Sequence, residues 1–137
     1  MSEAPPPEPP FALVVDDEPL ILMEAVSILE EAGFQMLEAA HAVQALRVLG
    51  QHHARVKLLF SDVDMPGDMD GFALAREVAR CWPLIAIVLA SGRAKPGPGD
   101  LPEGATFISK PFSAQIVHHH VRKTMPEHVQ PEPLRNK

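Results

Sequence analysis

Leu58-Leu59-Phe60-Ser61-Asp62-Val63-Asp64-Met65-Pro66-Gly67 is an apolar run that stops at a carboxylate and then turns. Its uninterrupted apolar start is how a strand buried on both faces of a parallel sheet reads, and Pro66-Gly67 breaks it. In an open parallel α/β sheet the ligand crevice lies just beyond the carboxyl ends of the strands. Asp62 therefore stands where chemistry is done. A second strand-like run, Phe11-Ala12-Leu13-Val14-Val15, ends in Asp16-Asp17-Glu18, and a third, Thr106-Phe107-Ile108-Ser109, ends in Lys110-Pro111. Two acidic strand ends and one basic strand end in one sheet describe a site for a metal ion and a phosphate.

Helical and strand patterns alternate around these runs. From Pro19 to about Ala32, Ile21, Ala25, Ile28, Leu29 and Ala32 share one helical face, and Gly33 is a natural stop. A short strand follows at about 35–38, then a helix over about 42–50 with Ala42, Ala45, Leu46 and Leu49 on its buried stripe. A third helix starts near Gly71, capped by Asp70, with Phe72, Ala75, Val78, Ala79 and Trp82 inward. Leu84–Ala90 reads as another buried strand. Regularity then fails: Pro96, Gly97, Pro98, Gly99 and Pro102 forbid an ordinary helix. The last helix is capped by Ser113 and is expected to bury Ile116, Val117, Val121 and part of His120.

This order implies an α/β, doubly wound parallel sheet spanning residues 11–124. Residues 1–10, with their prolines, read as a disordered leader, and 125–137 as a disordered tail. A chain of 137 residues with 46% hydrophobic content is long and apolar enough for one buried core. Its formal charge of −6 argues against sequence-independent nucleic-acid binding, which needs a basic face. The single cysteine, Cys81, excludes an internal disulfide framework and suits a reducing compartment. No membrane span or signal peptide is legible, so a cytoplasmic location is expected.

Hard oxygen donors at two strand ends suit Mg²⁺. Without a cation Asp16, Asp17 and Asp62 repel one another, and one carboxyl is expected to have a raised pKa. Carboxylates are phosphoryl-transfer nucleophiles, and the transfer itself is catalysed mostly by positioning and charge neutralisation. Lys110 offers a second positive charge, and Ser91 a hydroxyl for a phosphoryl oxygen. His118-His119-His120 invites a metal reading, but consecutive helical residues point about 100° apart and do not converge on one ion.

These motifs, Val15-Asp16-Asp17-Glu18, Asp62-Val63-Asp64-Met65-Pro66, Met69-Asp70-Gly71, Ala90-Ser91-Gly92 and Lys110-Pro111-Phe112, resemble those of the receiver domain of two-component response regulators. The resemblance covers about residues 11–124 and implies a flavodoxin-like five-stranded sheet in the order 2-1-3-4-5, flanked by five helices. It implies that Asp62 is the phosphoacceptor and, with Asp17, a direct Mg²⁺ ligand. Asp16 would act through water, and the Asp64 backbone carbonyl would complete the set. It further assigns Ser91, followed by Gly92, as the switch hydroxyl, Phe107 as the switch aromatic, Lys110 as the phosphate-binding lysine, and Lys110–Pro111 as a cis bond. The implied partners are a sensor histidine kinase or phosphotransfer protein and an unidentified downstream protein, with no nucleic acid or membrane. The expected state is a monomer or weak dimer, acting as a phosphoacceptor switch rather than an enzyme.

Three features depart from the family pattern. The Asp62–Gly71 loop is one residue longer than the commonest form, and the fourth helix position is taken by the Pro/Gly-rich segment. No output domain is expected after the last helix, and the chain resembles in this the stand-alone regulators common in alphaproteobacteria. The segment 93–103 is expected to be weakly held, with Arg93 a candidate partner for the Asp64 side chain. Two other readings are weighed against this one. Asp62-x-Asp64 also resembles the nucleophile motif of haloacid-dehalogenase-type phosphatases, but there the acidic metal pair comes late in the chain. A phosphorylation-independent binding module would not need the intact Asp16, Asp17, Asp62, Ser91 and Lys110 set. An EF-hand reading of Asp62-x-Asp64-x-x-Gly67 fails at Pro66 and Ala73.

Overall fold

Residues 8–137 are described by the computed structural model, and most of the alternation read from the sequence is realised in it. The leader's residues 1–7 lie outside the described residues. The elements are β1 (Phe11–Val15), α1 (Pro19–Glu31), β2 (Gln35–Ala39), α2 (Ala42–His52), β3 (Val56–Asp62), α3 (Gly71–Cys81), β4 (Ala86–Ser91), β5 (Thr106–Ser109) and α4 (Ala114–Thr124). A 3₁₀ turn (Glu127–Val129) and a short α5 (Glu132–Arg135) complete the chain. All strands are parallel, in the order β2-β1-β3-β4-β5.

Alternation along the strands sorts side chains into two buried layers. Ala12, Val14, Leu58, Phe60, Val88, Ala90 and Ile108 face the layer closed by α1 and α4. Leu13, Val15, Leu59, Ile87 and Leu89 face the layer closed by α2 and α3. The helix-free segment 92–105 covers part of this second layer with Ala94, Leu101 and Ala105. Few backbone hydrogen bonds hold it, as its prolines require, but Asp100 anchors it. Its Oδ2 accepts from the Gly97 amide at 2.7 Å, and its Oδ1 lies 3.7 Å from the Arg76 guanidinium on α3.

Several expectations are corrected. Leu84 is not in a strand: it sits in the turn after α3, 89% exposed, and pairing begins at Ala86. On α4, Ile116 is exposed and His118 is buried in its place, its Nε2 bonding the Ile28 carbonyl of α1 at 3.1 Å. The fourth helix position, by contrast, holds the irregular 92–105 segment, as its prolines and glycines led us to expect, and among the described residues the only further helix after α4 longer than a 3₁₀ turn is the four-residue α5.

The disordered tail expected at 125–137 is a packed clasp instead. Met125 and Leu134 are buried in the α1/α4 layer, and Gln130 Nε2 donates to the carbonyls of Arg122 (3.1 Å) and Met125 (2.9 Å). The prolines that suggested disorder start turns here: Pro126 and Pro131 precede the two short helical pieces. Gly33 has φ +103°, which terminates α1, and a Cβ there would lie 2.9 Å from both Pro131 and Pro133. The same bare backbone stops the helix and admits the clasp. At the other end, Pro10 and Pro9 carbonyls accept hydrogen bonds from Gln35 N and Gln35 Nε2, at 2.9 Å each.

Candidate functional site

Strand register brings the site together. Val15 pairs with Ser61, Asp62 with Ala90, and Ser91 with Ser109. Asp16, Asp62, Ser91 and Lys110 therefore stand at one edge of the sheet. Asp16, Asp62 and Lys110 continue the strand parity of the α1/α4 layer, whereas Ser91 and Phe107 continue that of the α3 layer. This parity divides the site into two hydrogen-bonded groups.

The first group centres on Lys110. Its Nζ lies 2.9 Å from Asp16 Oδ2 and 2.9 Å from Asp62 Oδ1. Both carboxylates are buried, while Asp17 is exposed. The other Asp16 oxygen accepts from the Glu18 amide at 2.9 Å. Burial raises the Asp62 pKa above the usual carboxylate value; the Lys110 hydrogen bond and charge oppose that rise, and Asp16 adds to it. Repulsion was the expected cause, but desolvation is the larger one. Burial lowers the Lys110 pKa, yet the hydrogen bonds and charges of Asp62 and Asp16 outweigh it and leave the ammonium above its usual value. Lys110 is charged at any ordinary pH.

Carboxylate oxygens of Asp16, Asp17 and Asp62 lie within 4.8 Å of one another. Three hard, anionic donors in so small a space fit a divalent cation such as Mg²⁺.

The second group centres on Ser91. Its Oγ donates to Asp64 Oδ2 at 2.6 Å and accepts from the amides of Arg93 (3.1 Å) and Ala94 (2.8 Å). Arg93 is exposed, and the Asp64 carboxylate is bonded to Ser91, not paired with Arg93 as expected. Phe107 is half-buried and stacks on Phe72, ring centroids 6.5 Å apart. Gly92 is exposed at the rim, beside Lys110. Lys110–Pro111 is cis, and Phe112 packs edge-on against Phe60 at 5.4 Å.

The loop after β3 is held tightly to its strand. The Val63 amide donates to the Ala90 carbonyl at 3.0 Å, and the Gly71 amide to the Val63 carbonyl at 2.9 Å. Asp70 caps α3, accepting from the Ala73 amide at 2.9 Å. A Cβ on Gly71 would collide with the Asp62 carbonyl oxygen, so only glycine lets α3 begin so close to Asp62. Sequence reasoning missed the Asp64–Ser91 bond and the closeness of Gly71 to Asp62. A carboxylate two positions after a strand-end aspartate was the available signal for the first, but its partner lies 27 residues away.

Comparison with known proteins follows the same lines. Residues 12–122 match the family model described as the response regulator receiver domain. The chain is 38% identical over 104 residues to the sensor kinase CckA of Brucella abortus, covering 74% of this chain and 11% of that protein. It is 34% identical over 106 residues to the nitrogen assimilation regulatory protein NtrX of Azorhizobium caulinodans, covering 74% of this chain and 23% of that one. The chain thus spans less than a quarter of either relative. Among solved structures, the receiver domain from the hybrid histidine kinase CckA superposes with a TM-score of 0.72 at 28% identity, covering 85% of this chain and 99% of that one. A response regulator receiver protein from Sinorhizobium medicae gives 0.77 at 24% identity, covering 85% and 95%, a likeness of fold.

Proposed function

The chain belongs to the response regulator receiver domain family, and from that premise we propose that Asp62 is its phosphoacceptor, charged by the phosphohistidine of a sensor kinase or phosphotransfer protein. The observation that carries this is the Lys110 ammonium bridging buried Asp16 and Asp62 at 2.9 Å each, at the carboxyl edge of the sheet. A nucleophile so placed is fixed in direction, and a positive charge already stands beside the position the phosphoryl oxygens take up. A carboxylate oxygen of Asp62 forms the new O–P bond as the N–P bond of phosphohistidine breaks. The bonding pair leaves on the imidazole nitrogen. Asp17, Asp62, the Asp64 carbonyl and, through water, Asp16 would hold Mg²⁺, which would supply the further charge neutralisation that phosphoryl transfer needs.

Lys110 holds the Asp62 carboxylate ready and then meets a phosphoryl oxygen. Ser91 and Phe107 register the new charge, ~1.5–2 negative units at neutral pH, and pass it to the surface around segment 92–105. The chain is a switch that assists its own phosphorylation and dephosphorylation rather than an enzyme acting on another molecule. We place it in the cytoplasm, as a monomer or weak dimer reading a kinase and answering to a downstream protein. Its charge of −6 supports no nucleic-acid role. No helix among the described residues is long and apolar enough to cross a membrane.

Acetyl phosphate with Mg²⁺ tests the assignment. The wild type gains one hydroxylamine-sensitive phosphoryl group, and Asp62→Asn gains none. Equal labelling of Asp62→Asn refutes it, and no labelling of either from acetyl phosphate or a phosphorylated kinase favours a phosphorylation-independent binding module.

A further inference from the structure

We propose that the Asp64 carboxylate is a latch on Ser91, a positioning residue that competes with the phosphoryl group for the serine's hydrogen bond. This rests on Asp62 being the phosphoacceptor. A hydroxyl has one hydrogen to give and two lone pairs to receive with. Every one of these is in use at Ser91. The hydrogen goes to Asp64 Oδ2, since a carboxylate has none to offer in return, and 2.6 Å is the short distance of a charge-assisted bond. The lone pairs take the Arg93 and Ala94 amides at 3.1 and 2.8 Å.

A phosphoryl oxygen on Asp62 is also an acceptor without a hydrogen. It engages Ser91 only by taking the hydrogen that Asp64 holds. Asp64 is exposed, so water receives the released carboxylate, and the exchange is close to balanced rather than forbidden. The affinity of the site for a phosphoryl group is therefore set partly by the strength of the acceptor at position 64. Reorienting Ser91 also disturbs the two amide bonds that fasten the start of segment 92–105. The latch thus joins the chemistry at Asp62 to the one stretch of this layer that no helix covers.

A double-mutant cycle tests this, with wild type, Asp64→Ala, Ser91→Ala and the pair, each titrated with beryllofluoride in excess Mg²⁺ and followed by amide NMR. Substitution at 64 leaves the backbone carbonyl in place. Asp64→Ala is expected to bind the mimic about tenfold more tightly in the presence of Ser91, as loss of a competing hydrogen bond to a charged group predicts. In the Ser91→Ala background the same substitution changes affinity only by the general effect of removing a charge, so the two ratios differ. Asp64→Asn removes the same charge but keeps an acceptor, and falls between wild type and Asp64→Ala. In the free protein, Asp64→Ala shifts the Arg93 and Ala94 amide signals and speeds their exchange.

Ratios that agree within about twofold in the two backgrounds overturn the latch. So do Arg93 and Ala94 amides that ignore Asp64→Ala. Failure of the Asp62 assignment has a different signature, equal binding of the mimic by Asp62→Asn, and overturns both readings together.

Discussion

Replacing Lys110 with methionine removes the charge that two buried carboxylates share and keeps most of the stem that packs beneath it. The side chain of Lys110 is 14% exposed and those of Asp16 and Asp62 are 5% exposed, so solvent screens this cluster little. Deleting one member of a buried ion pair costs about 3–5 kcal/mol, because the remaining charge is stranded. Lys110 itself is somewhat more exposed than its two partners, which favours the lower figure, about 3 kcal/mol. At a urea slope of about 2 kcal/mol per molar, that is a midpoint about 1.5 M lower at neutral pH.

The pH dependence carries the argument. Asp62 already has a raised folded pKa from burial, and both influences of Lys110 act to lower it. Without Lys110 the folded pKa moves further up. A group with a raised folded pKa contributes stability that is fully present below its unfolded value and is lost as pH rises through its folded value. The loss in Lys110→Met is therefore small near pH 3.8, the ordinary carboxylate value, and grows as pH rises through the new folded pKa. Urea midpoints of both proteins from about pH 4 to 8 measure it, and added Mg²⁺ recovers part of the loss at the upper end. A deficit equal at all pH values refutes the reasoning, since it would come from lost packing rather than stranded charge.

Asp62→Asn raises the urea midpoint above the wild type's at neutral pH, because it removes a carboxylate whose ionised form burial disfavours; the gain vanishes toward pH 3.8, and a gain that persists there contradicts the cause given. Leu134→Ala, in the clasp, destabilises by about 2–5 kcal/mol in urea unfolding, as a large-to-small change in a core does, whereas a loose tail would leave stability untouched. Gly71→Ala forces α3 away from the Asp62 carbonyl and destabilises by about 1–3 kcal/mol, with Asp62 amide shifts larger than those of an Ala75→Gly control at another buried position of α3.

The strand ends were legible because their signal is local. An apolar run closing on Asp16, Asp62 or Lys110 needs no knowledge of the rest of the chain, and parallel pairing then places all three at one edge. What escaped depends on contacts between distant segments. Ser91 and Asp64 meet only after β3 and β4 pair, and nothing near either residue announces the other. His118 took the buried position expected of Ile116 because a carbonyl at Ile28 waits for its ring, a partner on another helix. Leu84 was apolar at the right place in the run, but the turn bond from the Ile85 amide to the Trp82 carbonyl, 3.1 Å, keeps it outside the strand. The clasp was hidden by its prolines, which mark breaks in regular structure whether or not the pieces between them pack.

The uncovered stretch between β4 and β5 has an evolutionary consequence. Its hold on the layer beneath rests on Ala94, Leu101, Ala105 and Asp100, while Lys95, Pro98, Gly99 and Glu103 face water. Substitutions at such exposed positions usually change stability by no more than about 0.5 kcal/mol. A helix in the same place would tie every third or fourth residue to the core and slow its divergence. Here a duplicated copy of the gene can drift at these positions, or accept an insertion, while Asp62 and Lys110 stay as they are. Lineages are then free to alter this face of the domain without altering the charged cluster at the strand ends.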